Sequence, residues 1–197
     1  MMNNTDNQLA KQLRREKIQA RNSLSVEERN NLSRKITEKI IHSDIFQKAE
    51  TIMLYRAVKG EVDLRFLEEY NINLHKRLVY PLCIREGEMI ALHPQKEDAW
   101  EIGYKGISEP IMGKSEIIPP INIDLIICPC TVFDEACNRM GMGAGFYDRF
   151  LPKCTNAQIA AVAFEVQKTL TVPCNNWDIC MDTIFTETSI YKHDSLI

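Results

Sequence analysis

Three continuous apolar runs limit what this chain can fold into more than any other feature. They are Thr51–Ala57 (TIMLYRA), Ile123–Pro129 (IDLIICP) and Gln158–Glu165 (QIAAVAFE). Short runs with so few polar positions are typical of strands that a parallel sheet buries on both faces. Two further strands are predicted at Arg77–Leu82 and Met89–His93.

Helical patterns precede and separate these runs. The predicted helices span residues 8–23, 26–42, 62–70 and 145–151. Ser25, with Glu28 three residues later, is the signature of a capping box at the start of the second helix. Strands that alternate with helices predict an α/β fold: a mostly parallel sheet flanked by helices, in a Rossmann-like three-layer sandwich, with an N-terminal helical arm. Residues 94–120 are rich in turn-forming and charged residues and are expected to form a long excursion.

The bulk properties of the chain narrow its class. A length of 197 residues predicts a single domain over residues 1–197. The net charge of -3 does not predict a nucleic-acid or membrane partner. No apolar run approaches the roughly 18 residues of a membrane span, and the first residues lack the apolar core of a secretory signal. We therefore expect a cytoplasmic monomer that acts on small molecules, with no nucleic acid and no membrane as partner.

The seven cysteines are expected to be free thiols. Their odd number, in a chain without an export signal, is typical of a reducing compartment. Cys128, Cys130 and Cys137 suggest a zinc site, but no second pair has the spacing that structural zinc sites use.

The stretch Arg139–Phe150, RMGMGAGFYDRF, places three alternating glycines before a predicted helix. Unpaired amides at the start of a helix attract anions, and glycine lets the backbone approach a phosphate closely. Arg139 and Arg149 would add positive charge, and Asp148 is the kind of carboxylate that Mg²⁺ prefers beside a nucleotide. The stretch matches neither the dinucleotide fingerprint nor the P-loop. From the residues alone, a phosphate-binding loop and a tight turn are both open interpretations.

Four segments, in order along the chain, resemble the 5-formyltetrahydrofolate cyclo-ligase family. They are Leu54–Asp63 (LYRAVKGEVD), Gly106–Pro110 (GISEP), Asp124–Leu151 (DLIICPCTVFDEACNRMGMGAGFYDRFL) and Met181–Glu187 (MDTIFTE). The resemblance implies an enzyme that uses ATP and Mg²⁺ to close 5-formyltetrahydrofolate into 5,10-methenyltetrahydrofolate. ATP would phosphorylate the formyl oxygen, nitrogen N10 would attack the activated carbon, and phosphate would leave. Catalysis of this kind rests on positioning and charge stabilisation, and it needs no protein nucleophile.

The resemblance implies roles for three groups of residues. The ATP-binding residues would be Lys11, Arg14, Arg15, Arg139, Met140, Gly141, Met142, Gly143, Ala144, Gly145, Phe146 and Tyr147. Arg139, Tyr147 and Arg149 are the candidate catalytic residues, and Asp148 and Asp182 are the candidate Mg²⁺ ligands. The folate would contact Tyr55, Arg56, Glu61 and Tyr104, and the carboxylate of Glu61 would accept hydrogen bonds from the pterin N–H groups.

The first helix leaves the choice of phosphate contacts open. The family places a lysine and an arginine one helical turn apart, a spacing at which both side chains reach the same site. Lys11 and Arg15 have that spacing, but the leucine-arginine step of the family aligns with Arg14. A solvated basic face is the plainer interpretation of the same residues.

Four other roles also have plainer alternatives. Glu61 is suited to the start of a helix, and Asp182 to the surface before a strand. Tyr104 is either a wall of the pterin site or a packed surface aromatic residue. Arg56 stands where the family usually has an apolar residue, so it either contacts the anionic glutamate tail or extends to solvent.

Two rival functions remain open at this point. A relative that binds folate or nucleotide without turnover would keep Glu61 and the glycine stretch. Cys130 and Cys137, where the family often has glycine, leave room for it. The other rival is an ATP-dependent enzyme of the same fold that acts on a different formyl or amide substrate, which Arg56 would suit.

Overall fold

The computed structural model of this protein describes residues 4–58, 60–84, 87–103, 106–175 and 177–193. The described α-helices are α1 (Asn4–Ser23), α2 (Val26–Ile41), α3 (Asp44–Lys48), α4 (Arg65–Asn71) and α5 (Phe146–Phe150). The described strands are β1 (Thr51–Met53), β2 (Arg77–Cys83), β3 (Met89–Pro94), β4 (Trp100–Ile102), β5 (Ser108–Pro110), β6 (Ser115–Ile118), β7 (Leu125–Pro129), β8 (Val132–Phe133), β9 (Arg139–Met140), β10 (Gln158–Val162), β11 (Thr183–Phe185) and β12 (Ile190–Lys192).

Among the described strands, eight form one sheet in the order β12-β11-β10-β7-β1-β2-β3-β6. The neighbours from β11 to β2 run parallel to one another. The remaining strands, β12 on one side and β3 and β6 on the other, pair antiparallel. The predicted α/β fold with a mostly parallel sheet is therefore confirmed.

Alternate residues of the central strands point to opposite faces, and both faces are covered. Ile52 and Ile127 are fully buried on the face that α2, α3 and α4 cover. Met53 and Cys128 are fully buried on the other face, under α5 and the turns that follow it. Burial on both faces explains why these strands are continuous apolar runs rather than alternating patterns.

The second helix begins as the sequence predicts. The hydroxyl of Ser25 accepts a hydrogen bond from the Glu28 amide (3.1 Å), and the Glu28 carboxylate accepts one from the Ser25 amide (2.7 Å). The helix expected at residues 62–70 begins later, at Arg65. Asp63 explains the delay, because its carboxylate accepts a hydrogen bond from the Arg65 amide (3.0 Å) and holds the preceding residues out of the helix.

The expected excursion at residues 94–120 is more regular than the sequence indicates. It contains the hairpin of β4 and β5, and strand β6, which joins the main sheet through pairing of Ile117 with Leu92. Strand β6 has only two apolar residues, Ile117 and Ile118, before Pro119. A run this short carries too weak a pattern to predict a strand.

Helix α1 is an arm that packs outside the sheet, as expected. Its inner face places Ala10 and Leu13 against Val132, Met140 and Val172 in a small apolar cluster. Lys17 donates a hydrogen bond to the Val166 carbonyl (3.3 Å). In the part of the chain that the structure describes, no helix is both long and apolar enough to cross a bilayer.

Candidate active site

The candidate site lies at the carboxyl ends of β1, β2 and β7, the edge at which parallel α/β sheets bind ligands. After β7 the chain forms the hairpin of β8 and β9, which leads directly into the glycine stretch. The buried side chain of Gln167 donates hydrogen bonds to the carbonyls of Cys130 (2.7 Å) and Thr131 (3.0 Å). Gln167 thereby fixes the start of the hairpin and, through it, the position of the glycines.

The glycine stretch is a loop with two residues in the left-handed region: Gly143 has φ 96° and Gly145 has φ 67°. Two of its carbonyls are bound by arginines, because Arg14 donates to Gly141 (2.9 Å) and Arg149 donates to Ala144 (2.6 Å). Within the described chain, no backbone amide of residues 142–145 donates a hydrogen bond. Exposed amides without an acceptor, beside guanidinium groups, favour an anion.

Of the three basic residues predicted on α1, the structure brings Arg14 to the loop. Arg14 is half-buried, whereas Lys11 and Arg15 are exposed and lie away from the loop carbonyls. Burial lowers the pKa of Arg14, and the negative charge of Asp178 acts in the opposite direction. Asp178, which the sequence did not single out, is therefore within electrostatic range of Arg14, and its carboxylate accepts a hydrogen bond from the Asn175 amide (2.7 Å).

Arg139 and Asp148 form a shielded ion pair. Their Nη2 and Oδ1 atoms are 2.9 Å apart, and the side chain of Arg139 is only 4% exposed. The Arg139 guanidinium also lies 5.7 Å from the centre of the Tyr147 ring. Asp148 has a second carboxylate oxygen that makes no hydrogen bond within the described chain, so it can accept a further ligand.

Arg149 braces the loop from the other side. Besides Ala144, it binds the Gly87 carbonyl (3.0 Å), and its guanidinium lies 5.8 Å from the centre of the Phe146 ring. Helix α5, from which Arg149 projects, has only five residues, so its dipole adds little to anion binding. Met140 packs in the small cluster with Ala10, and its carbonyl accepts a hydrogen bond from the Thr131 amide (2.9 Å).

Tyr55 lies beside the segment that carries Glu61, because its hydroxyl donates to the Val62 carbonyl (2.7 Å), and the charge of Glu61 acts on both Tyr55 and Tyr147. Burial raises the pKa of both tyrosines, and the charge of Glu61 raises each further. Burial also raises the pKa of Glu61. A hydrogen bond from the Val58 amide to the Glu61 carboxylate (3.1 Å) and the positive charge of Arg21 both act to lower it. Arg21 is buried on the inner face of α1, two turns after Arg14.

Arg56 does not extend to solvent. Its Nη1 atom lies 2.7 Å from both carboxylate oxygens of Glu68, and its guanidinium lies 4.3 Å from the centre of the Trp100 ring. Tyr104, the other candidate folate contact, lies outside the described residues.

Asp182 lies at the opposite edge of the sheet. It precedes β11, and its carboxylate accepts a hydrogen bond from the Ile159 amide (2.7 Å) at the amino end of β10. Asp124, which precedes β7, makes the equivalent contact to β1: its carboxylate accepts hydrogen bonds from the amides of Glu50 and Thr51 at the amino end of that strand. The structure therefore does not bring Asp182 to Asp148.

The residues near the loop fit a Mg²⁺ ion. Asp148 follows the glycine stretch and has one carboxylate oxygen that makes no hydrogen bond within the described chain, and the charge of Asp178 acts on Arg14, which binds the loop. Mg²⁺ is usually held by one or two carboxylates together with phosphates and waters. The described residues contain no cluster of three or more potential metal ligands, and such a cluster is not needed for this ion.

Cys130 and Cys137 are buried thiols. Cys130 donates a hydrogen bond to the Val132 carbonyl (3.1 Å). Burial raises the pKa of both thiols to about 12, so they are protonated and weakly nucleophilic at neutral pH. All seven cysteines are free in the structure.

A mostly parallel sheet with an arginine-bound glycine loop at its carboxyl edge is typical of α/β proteins that bind a phosphorylated ligand. A profile of the 5-formyltetrahydrofolate cyclo-ligase family matches residues 6–187. The 5-formyltetrahydrofolate cyclo-ligase of Escherichia coli K12 is 27% identical, over 88% of this chain and 98% of its own. The chain belongs to the 5-formyltetrahydrofolate cyclo-ligase family.

Solved structures agree with this assignment. The NMR structure of the Aquifex aeolicus 5,10-methenyltetrahydrofolate synthetase superposes with a TM-score of 0.83 at 31% identity, covering 93% of this chain and 92% of that one. The Mycoplasma pneumoniae 5,10-methenyltetrahydrofolate synthetase gives a TM-score of 0.74 at 27% identity, with 90% and 98% covered. The similarity therefore extends over nearly the whole fold, including the edge that carries the site.

Proposed function

We propose that this protein uses ATP and Mg²⁺ to convert 5-formyltetrahydrofolate into 5,10-methenyltetrahydrofolate, with release of ADP and phosphate. The observation that carries the proposal is the loop at residues 141–145: the amides of residues 142–145 make no hydrogen bond within the described chain, and Arg14 and Arg149 hold the carbonyls of Gly141 and Ala144. This loop lies at the same sheet edge as Glu61, and family membership supplies the reaction.

The nucleotide would occupy the loop side of the site. The amides of the loop and the guanidinium groups of Arg14 and Arg139 would bind the phosphates and stabilise the negative charge that develops during transfer. Arg149 is exposed, and its Nε and Nη2 atoms bind the carbonyls of Gly87 and Ala144, so we assign it to shaping the loop. Lys11 and Arg15 are exposed on α1 and are assigned weaker, long-range attraction.

The metal would be held by carboxylates on the loop side. When bound, Mg²⁺ supplies positive charge that polarises the transferred phosphoryl group. Asp148 is the first ligand that we propose. For the second we propose Asp178 in place of Asp182, because the charge of Asp178 acts on Arg14 beside the loop, whereas Asp182 lies at the amino edge of the sheet. One oxygen of each carboxylate is bound by a backbone amide, that of Asp178 by Asn175 (2.7 Å), so location rather than availability distinguishes the two.

The folate would occupy the side formed by Tyr55, Glu61 and Tyr147. A carboxylate in a poorly hydrated pocket makes strong hydrogen bonds to paired N–H donors, which the pterin ring offers. The two tyrosine rings would flank the ring system and keep water away from the activated formyl group. We further propose that the enzyme acts in the cytoplasm as a monomer, on small molecules alone.

The absorbance of the methenyl product tests the reaction directly. Purified protein with 5-formyltetrahydrofolate should develop this absorbance only when ATP and Mg²⁺ are both present. No absorbance, with saturable binding of the folate, would instead indicate a binding protein. No absorbance and no folate binding, with ATP still bound, would indicate another substrate.

A Mg²⁺ titration of the rate separates the two candidate second ligands. Asp178→Asn should raise the Mg²⁺ concentration that gives half the maximal rate, and Asp182→Asn should leave it within about twofold of the parent value. The reverse pattern would return the metal role to Asp182.

A further inference from the structure

Four side chains just beyond Tyr55 form a connected group, which we call the Arg56 cluster: Arg56, Glu68, Tyr80 and Trp100. One nitrogen of Arg56, Nη1, lies 2.7 Å from each carboxylate oxygen of Glu68. The Arg56 guanidinium lies 4.3 Å from the centre of the Trp100 ring and 4.9 Å from that of Tyr80. The two rings meet edge to face with their centres 4.8 Å apart.

The side chains of the Arg56 cluster are partly buried, so the ion pair and the ring contacts in it are stronger than they would be on the open surface. The side chains of Arg56 and Glu68 are 27% and 21% exposed, so their ion pair is only partly screened by water. Arginine packed on aromatic faces gains further attraction when water is largely excluded. Only a planar guanidinium can bind a carboxylate and lie against two rings at once, so lysine or leucine would lose most of these contacts.

The Arg56 cluster joins two parts of the chain, the segment that carries Glu61 and the β4 and β5 hairpin. Arg56 belongs to the segment that carries Glu61, since the Tyr55 hydroxyl donates to the Val62 carbonyl (2.7 Å) and closes that segment into a loop. Trp100 begins β4, the first strand of the β4 and β5 hairpin. The neighbouring backbone is tied at the base of this hairpin, where the Ile111 amide donates to the Ala99 carbonyl (2.8 Å).

The hairpin reaches the end of β2, close to the site. Strand β5 of the hairpin packs against β2, and Trp100 of β4 meets Tyr80 of β2 edge to face. Strand β5 also contacts β3, and helix α5, which carries Tyr147, packs against β3 as well. A displacement of the hairpin would therefore change the space beside Tyr147.

We propose that Arg56 is a positioning residue that fixes the β4 and β5 hairpin relative to the Glu61 segment, and so determines affinity for the folate but not for ATP. The proposal rests on the function proposed above, because it takes the folate to lie between these two parts. Arg56 itself need not touch the substrate, since both its carboxylate partner and its aromatic partners belong to the protein. It gives a specific purpose to an arginine at a position where the family usually has an apolar residue.

Steady-state kinetics of Arg56→Leu and Arg56→Lys test the proposal, with Arg34→Leu as a matched control. Arg34 also lies over an aromatic ring, at 4.3 Å from the centre of Phe66, but on the outer face of α2 and α4. Arg56→Leu should raise the KM for 5-formyltetrahydrofolate about tenfold while the KM for ATP stays within about twofold, and Arg56→Lys should fall between parent and Leu. Arg34→Leu should change neither constant.

Two further measurements make the outcome decisive. Trp100→Leu should raise the folate KM in the same way, and the Arg56→Leu/Trp100→Leu double variant should be little worse than either single one. Calorimetric titration with the folate in the absence of ATP should show the same loss of affinity. This measurement tests the role of Arg56 even if the parent protein does not turn over. Equal rises in both KM values, or a lower melting temperature with unchanged folate affinity, would overturn it.

Discussion

The ion pair of Arg139 and Asp148 predicts a large loss of stability on removal of one partner. In Asp148→Ala the Arg139 side chain, which is 4% exposed, keeps its charge and loses the carboxylate. Breaking a buried pair in this way costs about 3–5 kcal/mol. Water reaches Asp148, which is 22% exposed, so we expect the lower end, about 3 kcal/mol.

Thermal unfolding without nucleotide or Mg²⁺ measures this loss in isolation from ligand binding. For a chain of this size, about 3 kcal/mol lowers the melting temperature by about 6–12 °C. Asp148→Asn keeps an acceptor for Arg139 without the charge, and it should lose only about 1–2 kcal/mol.

An exposed ion pair provides the control. Glu135→Ala breaks the pair of Lys168 with Glu135, whose side chain is 71% exposed, and it should cost no more than about 1 kcal/mol. If Asp148→Ala melts within 2 °C of the parent, as an exposed pair would allow, then Arg139 is not a buried charge that depends on Asp148, and the reasoning fails.

Three further predictions concern the loop and Glu61. Arg14→Ala should raise the KM for ATP about tenfold or more, and Arg15→Ala should raise it less than about twofold, because of these two residues Arg14 alone donates to a loop carbonyl within the described chain. Similar effects of the two substitutions would contradict this placement. Gly143→Ala should lower stability by about 1–2 kcal/mol in urea unfolding and weaken ATP, because φ is 96° at that position; an unchanged urea midpoint would argue against this backbone. Burial raises the pKa of Glu61, so the ionised carboxylate destabilises the folded state at neutral pH. This destabilisation disappears as the pH falls through the raised pKa of the folded state towards the pKa of the unfolded state, about 4.3. Glu61→Gln should therefore raise the melting temperature at pH 7 by an amount that shrinks with acidification, while it weakens folate binding; a constant difference across pH would refute the titration of Glu61.

The sequence predicts the fold as far as burial leaves a pattern. The continuous apolar runs at β1, β7 and β10 exist because both faces of those strands are covered, and the capping box of α2 is a local signal. Strands such as β6 carry only two apolar residues, so pairing with β3, a contact distant in sequence, decides their structure.

Site residues could be predicted from the sequence where the backbone conformation requires a particular residue type. They could not be predicted where packing determines which side chain faces the site. Alternating glycines mark the loop regardless of its surroundings. The choice between Arg14 and Arg15 depends on which face of α1 is inside, and that face is set by Ala10 and Leu13 packing against Met140. Likewise, Asp178 and Asp182 are four residues apart in sequence, and only the path of the chain before β11 separates their surroundings.

The contact between Arg14 and the loop ties the order of the loop to the docking of α1. This helix has a small apolar inner face, so its undocking requires less free energy than global unfolding. A nucleotide held by both Arg14 and the loop binds only the docked state and shifts that local equilibrium by mass action. The backbone amides of α1 should then exchange with deuterium more slowly when nucleotide is bound, while those of the central strands exchange only through global unfolding. The free energy of nucleotide binding would thus add to the docking free energy of α1, which its small apolar face provides only in part.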